Sequence, residues 1–393
     1  MLIELNSYVT CGVAVILIMF GNLIYNKIAF LQKFCIPIPI IGGLIFSLFL
    51  SMGYVLQIYE IKIDTYFSDI FMLVFYAGIG YNARIKTLIE GGKQILIFLI
   101  LSIVLVFLQN LIGIKIADLF HINRIIGLAC SSVAMTGGHG TSAAFSKIFE
   151  SAGLLDAISV TFAASTFGLI LGGLIGGPIG CYLTEKKPKS NKDIYIKTST
   201  GEDNNIIDDR NIKVATFHLL LAVGIGNILS SILEDIGFIF PASVGTMIAS
   251  ALLTNTLEKE SFFKPPRKEI QALSKISLML FLSLTTMEIK PWQLLNIALP
   301  LLFILLSQTI LMAIYASFIV YPIMGSNYEA AAIASGHCGF GLGVVATSMA
   351  NINSLEKKYG NCENAIITIS LVGSLFINFF NSIIITLFLN YIK

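Results

Sequence analysis

The sequence predicts an all-α integral membrane protein of about ten transmembrane helices, arranged as two inverted five-span repeats that each carry a re-entrant hairpin. Three observations lead there: a scarcity of charge, the spacing of long apolar runs, and two glycine-rich segments at matching places in the two halves.

Charge comes first. The 393 residues are 56% hydrophobic and 12% charged, against about 25% charged in soluble domains. So few charges cannot cover a water-facing surface, and they cluster, leaving Ile95–Ile114, Ala157–Thr184 and Asn364–Ile392 without any. A net charge of +2 suggests no nucleic-acid partner. The six cysteines, Cys11, Cys35, Cys130, Cys181, Cys338 and Cys362, form no CxxC pair, so neither a disulfide framework nor a zinc site is indicated and most of them read as packing residues. The first apolar run, Tyr8–Tyr25, has an acidic start at Glu4 and no basic leader, and reads as a retained span.

A span needs about 20 mostly apolar residues. On that criterion the spans lie near 8–26, 36–58, 69–83, 94–117 and 157–183, then near 214–233, 239–256, 274–289, 296–321 and 364–390. The strongly polar stretch 184–213 separates the two sets and reads as a cytoplasmic linker. The expected organisation is thus an N-terminal membrane repeat over 1–183 with a hairpin at 125–150, the linker, and a C-terminal inverted repeat over 214–393 with a hairpin at 328–352. Lys62, Lys115, Arg124, Lys147, Lys290 and Lys393 fall on one side of the membrane and every other Lys and Arg on the other. The positive-inside rule then puts both termini outside. The repeat also shows in the letters: Pro39 and Gly43 match Pro241 and Gly245, Gln109 matches Gln308, and Gly138-His139 matches Gly336-His337 at nearly constant offset.

The chemistry is expected at Thr136–Ala144 (TGGHGTSAA) and Ser335–Gly343 (SGHCGFGLG). Each lies between the fourth and fifth span of its half, with flanking apolar arms too short to cross. Non-helical backbone at membrane depth must be satisfied by protein, water or ligand. Glycine lets the chain turn and a ligand approach, and the arm that starts after the tip offers free N–H groups and a positive dipole end to a carboxylate. The expected substrate contacts are Gly137, Gly138, His139, Gly140, Thr141 and Ser142 at the first tip, and Gly336, His337, Cys338, Gly339, Phe340 and Gly341 at the second. Asn378 and Asn381 lie opposite on one helix face, suited either to ligand binding or to bonds between helices. Arm-end carbonyls and the oxygens of Thr136, Thr141, Thr166 and Ser335 suit sodium. Phe340 reads equally as core or as a gate, and the glycines of LILGGLIGGP as close helix packing.

No Asp or Glu lies deep in any predicted span. That favours sodium over proton coupling and argues against a two-aspartate intramembrane protease. No cofactor motif appears. A passive channel or an intramembrane enzyme is the reading from a different class.

GGHGTSAAFSK (137–147), TFGLILGGLIGGP (166–178) and AIASGHCGFGLG (332–343) resemble segments of the bacterial sodium/glutamate symporter family. The resemblance runs the length of the chain. It implies a secondary transporter, not an enzyme, that imports L-glutamate with sodium through the plasma (inner) membrane. It also implies ten spans, re-entrant hairpins, an elevator-like movement and a homodimer. The chain departs from the family pattern at Ser142, where glycine is common, at Ala346, where proline is frequent, and at Asn378, where an acidic residue is often found. The last departure bears on how the substrate ammonium is held, and makes another small anion, such as a di- or tricarboxylate, the alternative substrate.

Overall fold

The computed structural model describes residues 2–34, 36–56, 60–64, 66–90, 92–186, 209–236, 240–257, 265–290 and 298–392. In chain order its main helices are α1 (Ser7–Lys27), α2 (Ile38–Val55), α3 (Tyr66–Asn82), α4 (Gly92–Leu119), α5 (Arg124–Val133), α6 (Gly138–Ser151) and α7 (Ala157–Lys186). They continue with α8 (Asp209–Asp235), α9 (Ala242–Leu257), α10 (Arg267–Met287), α11 (Ala298–Ile323), α12 (Tyr328–Leu342), α13 (Val345–Tyr359) and α14 (Glu363–Ile392). Each predicted span overlaps one of these helices, with parts of 36–58, 239–256 and 296–321 outside the described residues.

Seven of them, α1, α4, α7, α8, α10, α11 and α14, are long and apolar enough to cross a membrane. Their outer faces are those of lipid-bathed helices. Val15, Ile16, Met19 and Leu23 on α1 and Phe217, Leu220 and Ile228 on α8 are exposed, an apolar surface that water would not tolerate at this extent. The chain is a multi-pass membrane protein.

α7 runs on to Lys186 and α8 begins at Asp209, so helix enters both ends of the predicted linker; its residues 187–208 lie outside the described residues. A feature absent from the sequence reading is a parallel strand pair, β1 (Leu2–Leu5) with β2 (Glu60–Ile63), in the register Leu2 to Glu60 through Leu5 to Ile63. It brings the starts of α1 and α3 to the same end of the molecule.

The helices sort into two bodies by their contacts. The first three of each half, α1, α2, α3 and α8, α9, α10, pack on one another; α4 to α7 pack with α11 to α14. Contact between the bodies is thinner, chiefly α6 on α10 and α14 on α3 and α9. Close helix crossings recur within each half of the first body, Gly21 against Gly42 and Gly226 against Gly245. In the second body Gly168, Gly172, Gly176 and Gly180 line one face of α7, where added Cβ atoms would meet Leu342, Cys338 and Ser335 of α12. Small residues there let two backbones approach, the packing reading of LILGGLIGGP.

Candidate functional site

Two broken elements carry the glycine-rich segments. In the first, α5 ends in a kink: Ser131 has non-helical backbone (φ −99, ψ −130), a turn covers 134–137, and α6 starts at Gly138. Gly138 has φ +61, which glycine adopts without the Cβ penalty. In the second element the helix does not break where predicted. Ser335, Gly336, His337, Cys338, Gly339, Phe340 and Gly341 all lie inside α12, and the break falls at Gly343–Val344. The glycines of α12 serve packing instead of turning. A Cβ on Gly336 would meet Ile352 and Ile369, on Gly339 the backbone of Ser348, and on Gly341 Met312 and Leu105.

The Gly-His pairs are therefore not counterparts. His139 sits in the first turn of α6, just past its tip, and its Nε2 lies 3.1 Å from Thr166 Oγ1. His337 sits in the arm before its tip, among Phe98, Phe340 and Tyr315 at ring distances of 4.9, 4.9 and 6.1 Å. Phe340 is buried against the same Phe98 ring at 5.9 Å, in a core position. The structural match is Gly137–Ser142 (GGHGTS) with Gly343–Ser348 (GVVATS): a glycine, then Thr-Ser in the first turns of α6 and α13.

The two tips meet. A Cβ on Gly138 would stand 3.4 Å from the Gly343 carbonyl oxygen and 3.5 Å from Val344 Cγ1. Neither helix start is capped by a side chain, at Gly137 for α6 or Val344 for α13. A helix N-terminus without a side-chain cap leaves N–H groups for a ligand. Around it His139 Nδ1, Thr347 Oγ1 and Ser348 Oγ are buried and without hydrogen-bond partners. Gly140 faces Phe75 and Leu278 of the other body. The Tyr76 hydroxyl is likewise buried, beside Thr141 and Ser382. The ends of two dipoles, a ring of hydroxyls and an aromatic wall suit a small molecule with negative charge.

The remaining predicted residues divide. Thr136 Oγ1 donates to Gln109 Oε1 at 2.7 Å and Ser335 Oγ to the Gly176 carbonyl at 2.8 Å. Both hydroxyls, expected as sodium ligands, donate their hydrogens to protein acceptors; Thr166 Oγ1 pairs with His139. Ser142 Oγ is 2.7 Å from Ser165 Oγ. Asn381 Nδ2 donates to the Ser132 carbonyl at 3.1 Å, so this residue does reach the first hairpin; Asn378, one turn earlier, is half-buried. Tyr76, Asn110, Ser132, Thr347 and Ser348 are buried polar groups beside these segments that sequence reasoning did not single out. The repeated Thr-Ser after each glycine was the available signal for the last two.

Comparison with known proteins decides the family. A family model described as sodium/glutamate symporter matches residues 3–361. The sodium/glutamate symporter of Escherichia coli (strain K12) is 36% identical over 98% of each chain, as is that of Shigella flexneri. The sodium/glutamate symporter of Haemophilus influenzae is 30% identical over 96% of this chain and 95% of its own. The chain belongs to the sodium/glutamate symporter family.

Proposed function

We propose that this chain imports L-glutamate coupled to sodium across the bacterial plasma membrane. The observation that carries the reading is the meeting of two helix N-termini without side-chain caps at Gly138 and Gly343–Val344. Each supplies backbone N–H groups and half a positive charge, about +0.5, to a carboxylate. A transporter site made of discontinuous helices from two inverted repeats, near the bilayer midplane, follows the same physics. The names of the relatives supply the substrate and the ion.

The finer reading has ten spans, two re-entrant hairpins and elevator-type alternating access. Support comes from the two bodies: one built from the first three spans of each half, the other from the fourth and fifth spans with both hairpins. The second body moves against the first, carrying the tips past Phe75 and Tyr76. Both termini lie outside in this reading and the linker is cytoplasmic; the parallel strands before α1 and α3 agree with it, since both helices then start from the outer face. A homodimer is the expected assembly.

The test is uptake of labelled L-glutamate into proteoliposomes with and without an inward sodium gradient. Accumulation only with the gradient supports the symporter reading. Accumulation of other dicarboxylates but not glutamate turns the substrate assignment to them, and conductance without accumulation defeats coupled transport.

A further inference from the structure

The carbonyl end of α5 is built differently from the two helix starts beside it. Three elements converge there. The backbone N–H of Ser132, released by the kink at Ser131, donates to Asn110 Oδ1 on α4 at 3.1 Å. The Ser132 carbonyl accepts from Asn381 Nδ2 on α14 at 3.1 Å and from the Gly137 N–H at 2.8 Å. All three side chains are completely buried. Yet Ser132 Oγ and Asn381 Oδ1, both oxygens, have no hydrogen-bond partner. A buried polar atom without a partner costs free energy that a folded protein rarely leaves uncompensated.

The electrostatics at this point oppose those at the tips. The C-terminal end of a helix is the negative end of its dipole, and α5 ends here. Hard cations take oxygen ligands, and unwound backbone at the end of a half-helix is where transporters hold coupling ions. Among the described residues no cluster of His, Cys, Asp and Glu is arranged to hold a metal. The oxygens at Ser132 and Asn381 are neutral, which suits a monovalent ion that must leave again in each cycle. Asn110 Nδ2, also partnerless, is a donor; Asn110 acts as a positioning residue, holding the Ser132 amide through Oδ1.

We infer that Ser132 Oγ and Asn381 Oδ1, at the carbonyl end of α5, are ligands of the coupling sodium ion. The inference rests on the sodium-coupled reading above and replaces the hydroxyls of Thr136 and Ser335. It also places the cation against the same turn, 134–137, whose far end opens the anion site at Gly138. An ion bound at Ser132 and Asn381 fixes that turn before glutamate arrives.

The experiment is a sodium titration of thermal stability for the full chain in detergent, in choline-balanced buffer without glutamate. Ser132→Ala removes an oxygen that holds nothing in the structure, so the sodium-free midpoint stays at the wild-type value. Its sodium requirement for half the stabilisation rises at least ten-fold. Asn381→Leu loses the sodium response, and Asn381→Asp, which keeps an oxygen in place, retains it. A Ser132→Ala variant with a wild-type sodium response overturns the assignment. A wild-type protein that ignores sodium, in titration and in uptake, instead defeats the sodium-coupled reading on which the assignment rests.

Discussion

Gln308 Nε2 donates to the backbone carbonyl of Gln109 at 2.9 Å, so the glutamines at matching places in the two halves touch one another. Gln109 carries the connection onward. Its Nε2 donates to the Gly341 carbonyl at 2.7 Å and its Oε1 accepts from Thr136 Oγ1 at 2.7 Å. One side chain on α4 thus ties the turn before α6 to the end of α12.

Replacing Gln109 with leucine should therefore cost stability as well as transport. It leaves the Thr136 hydroxyl with only the longer bond to Gly341, at 3.2 Å, in a buried setting. The expected loss is about 2 kcal/mol, read as a lower unfolding midpoint in detergent. An unchanged midpoint would show that the bridge does not hold the hairpins together.

The glycines separate by what surrounds them. Gly339→Val drives a side chain into the Ser348 backbone, an overpacking worth about 1–3 kcal/mol, and should abolish uptake by parting α12 from α13. At Gly138 there is space but φ is +61; Gly138→Val strains the turn by about 1–2 kcal/mol and blocks the tip. Gly12→Ala and Gly224→Ala, with nothing within 4 Å, are the controls, expected to keep uptake and to stabilise their helices by about 0.5–1 kcal/mol. Normal transport by Gly138→Val at normal protein level would sink the tip site.

The two histidines should behave in opposite ways. His337 is fully buried among aromatic rings and neither ring nitrogen has a partner. An apolar side chain of similar size there is neutral or stabilising, so His337→Leu should unfold at the same temperature or higher and keep its glutamate KM. His139, beside the tip and bonded to Thr166, should lose uptake on replacement by alanine. Equal loss in both variants would restore His337 to the substrate site.

Lys147 on α6 and Asp69 on α3 are 2.7 Å apart and about half exposed, and they join the two bodies. Such a pair adds at most about 1 kcal/mol, so Asp69→Asn should leave the unfolding midpoint within a degree or two. With cysteines at both places, a short thiol-specific cross-linker should stop uptake at least ten-fold if the bodies move past one another. Uptake that survives a complete cross-link would rule out that movement.

The helices were legible in the sequence because membrane spans are set by composition. A run such as Ile95–Ile114 has one stable solution in lipid, so all its backbone polar groups pair within the helix. The first tip was legible too, since Gly137–Gly138 followed by polar residues breaks the helix where expected. The second was not. Gly336, Gly339 and Gly341 look like a turn as letters, but their neighbours crowd so closely that they act as contact surface, and α12 continues to Leu342. Glycine permits both outcomes, and only the packing of α7, α13 and α14 against α12 chooses between them. The same limit explains Ser132 and Asn381. Their partnerless oxygens are a property of three helices meeting, which no local pattern records. Sequence by itself determined the membrane class, the helices and the family, because burial in lipid and motif identity are local. Tertiary structure alone decided which glycines turn, which histidine lies beside the tips and where opposite helix dipoles end, because those depend on neighbours far away in the chain.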